Sequence, residues 1–215
     1  METTRRPIKA RNTRWAAATA AFLARRGIRP NQISVASAVF AAGAGACLAL
    51  TTPAAADIEP WLFLAAALLI QLRLLCNLFD GMVALEGGFQ TRSGEIFNEL
   101  PDRFADAFVL IGAGYAAAQP SWSPTVGWLC AVLAVLTAYV RALGASAGAS
   151  QQFCGPMAKP HRMAILTATC AGSAFLFWTG HPSPLLSWSL LLIAAGCLVT
   201  ILRRTRRIVR QLESA

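Results

Sequence analysis

The sequence predicts an all-α integral membrane protein: six transmembrane helices preceded by an amphipathic helix lying at the membrane interface. Two observations lead there. The 215 residues are 56% hydrophobic, too apolar for a soluble domain of this size. Apolar runs recur near residues 33 to 51, 60 to 79, 101 to 118, 123 to 144, 162 to 180 and 184 to 202, close to the roughly 20 residues that crossing hydrocarbon requires. A third, the placement of the basic residues, orients the bundle.

Residues 1–32 form an N-terminal cytoplasmic or interfacial segment. Its first apolar stretch is interrupted by Arg25, Arg26 and Arg29, so it does not read as a cleavable signal peptide, and the first long span serves as its own insertion signal. Over residues 11 to 27, Arg11, Arg14, Arg25 and Arg26 alternate with Trp15, Phe22 and Leu23, a pattern suited to a helix lying in the interface. Pro30-Asn31-Gln32 ends that helix and caps the first span. Residues 33–202 make the transmembrane domain and 203–215 a basic cytoplasmic tail. The short connections Gln119-Pro120-Ser121 and Gly180 to Pro184 predict hairpins of neighbouring helices. The longer connections, 80 to 100 and 145 to 161, fall on the opposite side, which becomes the working surface.

Charge fixes the orientation. The net charge is +9, and outside the spans the basic residues share one side: Arg5 through Arg29, Arg92, Arg103, Lys159, Arg162 and Arg203 through Arg210. The other side, around Asp57, Glu59, Gln119 and His181, has neither Lys nor Arg. This positive-inside pattern places both termini in the cytoplasm, and the basic excess meets anionic membrane lipid rather than nucleic acid. Cys47, Cys76, Cys130, Cys154, Cys170 and Cys197 show no metal-ligand spacing and read as packing residues.

Polar chemistry concentrates in Asn77-Leu-Phe-Asp80-Gly81-Met-Val-Ala84, followed by Gly94-Glu-Ile-Phe-Asn98-Glu-Leu-Pro-Asp102. Asn77 and Asp80 are three apart, and Asn98, Asp102 and Asp106 four apart, so each set lies along one helix face. Facing each other, the two sets make an oxygen-lined site for Mg²⁺ or Mn²⁺, with substrate phosphates completing the shell. Asp80 and Asp102 are the strongest ligand candidates, with Asn77 and Asn98 as neutral donors. Gly81, Ala84 and Gly94 are small enough for a nucleotide or another helix to approach. The alternative for the small residues alone is helix packing.

These residues resemble the signature of the CDP-alcohol phosphotransferases, membrane enzymes with six spans, written D-x2-D-G-x2-A-R-x8-G-x3-D-x3-D. Asn77 falls on the first Asp, Asp80 on the second, Asn98 on the third and Asp102 on the fourth, with every spacing kept. Leu85 stands in place of the Arg. Pro30-Asn31-Gln32-Ile33-Ser34 is similar to the family's approach to its first span. The resemblance implies that metal ions bind the pyrophosphate of a CDP-linked lipid or alcohol in the inner membrane, on the cytoplasmic face. It further implies that Asp102, as general base, helps an acceptor hydroxyl attack the β-phosphorus, releasing CMP in phospholipid biosynthesis. A homodimer is permitted by Ala- and Gly-rich surfaces, as in the family.

Further groups surround the motif. Glu86, Glu95 and Glu99 are close in sequence, and Arg73 precedes Asn77 by one turn. The two helices run oppositely, so Arg73 and Asp106 reach one depth and are expected to pair. Arg141, Lys159, His161 and Arg162 form a second polar cluster. Arg141, Lys159 and Arg162 are candidates for substrate binding, against snorkelling positive-inside charge, and His161 is a surface residue. Two other readings stay open: a catalytically degenerate lipid- or nucleotide-binding protein of the same fold, favoured by the two Asn and Leu85, and a transporter, which needs a polar path that the outer halves of the spans lack.

Overall fold

A computed structural model describes residues 13–51, 58–89, 94–116 and 120–214. Arg5, Arg6, Lys9, Arg11, Asp57, Arg92, Gln119 and the Glu95 side chain, all used above, lie outside the described residues. Among those described, the regular elements are all helices: α1 (Arg14–Arg25), α2 (Pro30–Ala49), α3 (Glu59–Glu86), α4 (Gly94–Gly114), α5 (Ser123–Ser146), α6 (Lys159–Trp178) and α7 (Leu185–Glu213).

Helix α1 occupies the predicted interfacial segment. Its Ala16 and Ala20 are buried against Ile33, Leu78, Met82 and Val83, and Trp15 meets Phe79 of α3 edge-on at 5.9 Å. Trp15 and Phe22 stay half exposed on the outside, where a bilayer interface suits them. Gly27, at φ +76°, ends α1 in a left-handed turn in which Ile28 N–H reaches Leu23 O at 3.2 Å. The chain re-enters helix at Pro30, whose missing N–H costs nothing in the first turn. Gln32 rather than Asn31 supplies the cap, its Oε1 accepting from Arg29 N–H at 2.9 Å.

One expectation needs correction. The connection predicted over 80 to 100 is largely helical, since α3 continues to Glu86 and α4 begins at Gly94. Hydropathy falls at Asp80 and recovers only near Asp102, but Met82, Ala84, Leu85, Glu86 and Leu100 are good helix formers. By length and composition alone, four helices among the described residues are apolar enough to cross a membrane: α2, α3, α5 and α7. Helices α4 and α6 are not, because α4 carries Glu99, Asp102, Arg103 and Asp106, and α6 opens with Lys159, His161 and Arg162.

Successive helices run up and down. At one end Ser34 of α2 bonds Asp80 of α3, and Lys159 of α6 bonds Asp102 of α4. At the other, Trp61 pairs with Trp178, Phe63 with Phe177 and Trp122 with Trp188, at centroid separations of 5.5, 5.5 and 6.5 Å. Helix α2 packs on α3 and α4, α4 on α5, α3 on α6, and α5 on α7. At the α2–α4 crossing a Cβ on Gly45 would strike the Phe108 backbone, and one on Gly112 the Gly45 backbone, so glycine sets how close these helices lie.

Candidate active site

Burial and polarity coincide at one end of the bundle. Asp80 on α3 is 5% exposed and Asp102 on α4 is 9% exposed, and buried carboxylates persist only with partners. Asp80 Oδ2 accepts from Ser34 Oγ at 3.0 Å, and its Oδ1 from the Gly81 N–H at 2.5 Å. Asp102 Oδ2 accepts from Lys159 Nζ at 2.5 Å, while Arg73 Nη2 stands 4.0 Å from Oδ1.

Asn77, one turn before Asp80, ties the two helices together. In the orientation that satisfies its neighbours, its amide nitrogen donates to Asp102 Oδ1 at 2.9 Å and to Ser37 Oγ at 3.3 Å. Its oxygen accepts from Lys159 Nζ at 2.8 Å. The two α2 serines, three residues apart, thus steady Asp80 and Asn77 of α3.

One turn deeper, Asp106 is 1% exposed. Arg73 pairs with its Oδ1, the partnership expected from the sequence, and Arg162 Nη2 with its Oδ2 at 2.5 Å. Arg162 also donates from Nη1 to Met157 O at 2.9 Å and is itself 1% exposed. Its guanidinium is engaged inside the bundle, holding Asp106 and the start of α6. Toward the surface, Arg141 Nη2 reaches both Glu99 oxygens at 2.7 and 2.8 Å, and its guanidinium lies 5.2 Å from the Phe153 ring centre. Glu99 accepts from Arg103 as well, at 2.7 Å.

The other named residues sort by exposure. Gly81, Ala84 and Gly94 are half-buried, whereas Asn98, Leu85, Glu86 and His161 are exposed. The sequence reading missed Ser34 and Ser37 as site residues; two serines one helical turn apart, just inside the first span, were the available signal. It also treated Glu99 only as a nearby carboxylate, because nothing in the linear sequence joins it to Arg141.

The donors suit one hard divalent ion. Asp80 and Asp102 offer anionic oxygens from facing helices and Asn77 a neutral one, leaving phosphate and water to complete six. Asp106 is not available, being held between two arginines, and among the described residues no group of three or more His, Cys, Asp or Glu side chains gathers.

Known proteins share this architecture. A family model, CDP-alcohol phosphatidyltransferase, matches residues 27–202. The fold is similar to that of Mycobacterium tuberculosis phosphatidylinositol phosphate synthase with CDP-DAG bound, with a TM-score of 0.71 and 22% identity over 91% of this chain and 94% of that one. The same synthase in complex with manganese and citrate gives a TM-score of 0.73 at 22% identity, covering 90% and 88%. No curated protein matches the sequence significantly.

Proposed function

This chain belongs to the CDP-alcohol phosphatidyltransferase family, and on that premise we propose that it transfers a phosphatidyl group from a CDP-linked lipid to an acceptor hydroxyl, releasing CMP, in phospholipid biosynthesis. The observation that carries this reading is the burial of Asp80 and Asp102 at the same end of the bundle, with Asp102 bonded to Lys159 and to Asn77, which stands one turn from Asp80. In this proposal α2 to α7 all cross the inner membrane. The charge-bearing helices α4 and α6 do so with their ionic groups turned inward, as one transmembrane domain over 33–202. Both termini and the site face the cytoplasm, in accord with the basic residues gathered at the site's end. Ala- and Gly-rich outer surfaces permit a homodimer.

Asp80, Asp102 and Asn77 would hold Mg²⁺ or Mn²⁺, with Asn98 one turn from Asp102 as an outer donor. A divalent ion held there would neutralise diphosphate charge and make CMP a better leaving group. Asp102 accepts the proton of the acceptor hydroxyl as its oxygen bonds to the β-phosphorus; the bond from that phosphorus to the bridging oxygen breaks, and its electron pair leaves with CMP. Ser34 fixes the rotamer of Asp80. Lys159 and Arg141 bind phosphate or the acceptor headgroup, Arg162 holds the frame beneath them, and Gly81, Ala84 and Gly94 give the nucleotide room.

A lipid donor is favoured over a small CDP-alcohol by an apolar groove of about 350 Å³ between α2 and α4, lined by Val35, Ala38, Leu100, Pro101, Phe104 and Phe108. Its lining residues Val35 and Pro101 are the sequence neighbours of Ser34 and Asp102, and it suits an acyl chain.

Purified protein given CDP-diacylglycerol and a panel of acceptor alcohols should release CMP. Release should stop on chelation, return with Mg²⁺ or Mn²⁺, and be abolished by Asp80→Asn or Asp102→Asn. The second reading, a degenerate binding protein, is favoured by Asn77, Asn98 and Leu85; it predicts CDP-diacylglycerol binding with no CMP released under any acceptor or metal. Failure to bind CDP-linked compounds at all sinks both.

A further inference from the structure

We propose that the Lys159 ammonium is a built-in cation that closes the Asp102 half of the site and has to be displaced before a divalent ion binds there. The inference rests on the assignment of Asp80, Asp102 and Asn77 as metal donors. Lys159 Nζ contacts two of these three groups, Asp102 Oδ2 at 2.5 Å and the Asn77 carbonyl oxygen at 2.8 Å. The other Asp102 oxygen takes the Asn77 amide. A divalent ion must share oxygens already held by a positive charge.

Charge balance points the same way. Three buried carboxylates, Asp80, Asp102 and Asp106, are gathered at one end of the bundle with three cations, the buried Arg73 and Arg162 and the part-buried Lys159. The set is neutral without any ion, and adding one leaves an excess of +2 unless a cation moves or an anion arrives. Of the three cations Lys159 is the least enclosed. Arg73 and Arg162 are 0% and 1% exposed, whereas the Lys159 side chain is 20% exposed on a flexible four-carbon stem. It is also the first residue of α6, where the positive end of the helix dipole repels an ammonium. Asp102 and Asn77 therefore hold it against an opposing field. A diphosphate entering the site both supplies negative charge and offers Lys159 a new partner, so ion and diphosphate bind cooperatively.

The test is Mn²⁺ binding to the full chain in lipid nanodiscs, followed by the electron paramagnetic resonance of free Mn²⁺, with and without CDP. Lys159→Met should bind Mn²⁺ about tenfold more tightly than wild type without CDP, and should gain less from CDP than wild type does. Lys159→Gln, which keeps a hydrogen bond to Asp102, replaces it should the methionine variant not fold. Adding Asp102→Asn to either should erase the gain. Affinity equal to or weaker than wild type in both single variants overturns the inference while leaving the metal assignment standing. Mn²⁺ binding that is absent, or indifferent to Asp80→Asn and Asp102→Asn, overturns the assignment and the inference with it.

Discussion

Arg73 of α3 and Asp106 of α4 form an ion pair with 0% and 1% of their surfaces exposed. Their attraction is coupled to a third member, Arg162 of α6, on the other carboxylate oxygen. Three helices are thereby joined at one carboxylate beneath the site, and removing it strands two guanidinium groups away from water.

The cost of breaking that triad should depend on which member goes. Asp106→Ala should destabilise the protein by about 3–5 kcal/mol, the range for uncompensated buried charge, and Arg73→Ala by less, because Arg162 still neutralises Asp106. The double variant should lose less than the sum of the two, with a coupling of about 0.5–3 kcal/mol. Denaturant unfolding in detergent micelles measures all three, and additive losses would count against the pairing.

Helix spacing should be set by glycine at the α2–α4 crossing. A Cβ at Gly45 meets backbone that cannot yield, whereas one at Gly172 meets only the Leu185 side chain, at 3.0 Å. Gly45→Ala should cost about 1–3 kcal/mol through overpacking and Gly172→Ala distinctly less. Thermal unfolding of the two variants side by side decides it.

Filling the groove should penalise long acyl chains selectively. Ala38→Trp places an indole among Val35, Leu100, Phe104 and Phe108. The KM for a long-chain CDP-diacylglycerol should rise about tenfold, the scale on which pockets discriminate by bulk, with a smaller change for a short-chain analogue. Equal effects on both would argue that the chain lies elsewhere.

Arg141 should act on the acceptor and contribute little to the fold. Its contacts with Glu99 are partly exposed, with side chains 17% and 39% accessible, so Arg141→Ala should change stability by no more than about 1 kcal/mol. In a CMP-release assay it should raise the acceptor KM and leave the donor KM near wild type, a loss of binding rather than of chemistry. A fall in kcat alone would reassign the residue.

Much of this was readable from the chain because a membrane restricts the options. Backbone groups in hydrocarbon must bond internally, so long apolar runs become helices, and all six predicted runs correspond to one. The helical periodicity of Asn77, Asp80, Asp102 and Asp106 likewise gave the shared faces and the Arg73 pairing. Hydropathy failed where helices carry their polar ends, placing Asp80 and the residues before Asp102 in a loop. It was equally blind to long-range partners: nothing in the sequence says that Glu99 meets Arg141 or that Lys159 lands between Asp102 and Asn77. The lysine's position depends on where the loop before α6 docks, with Met157 N–H on Thr200 at 3.0 Å and Arg204 on Cys154 O at 3.0 Å.

That docking ties the far terminus of the polypeptide to the chemistry. Since α7 carries Thr200 and Arg204, which anchor the loop that aims Lys159, this helix acts as a brace for the site. Shortening the chain within α7 ahead of these residues would unmoor the lysine while leaving every motif residue in place, so an intact signature alone does not identify a working copy of this protein.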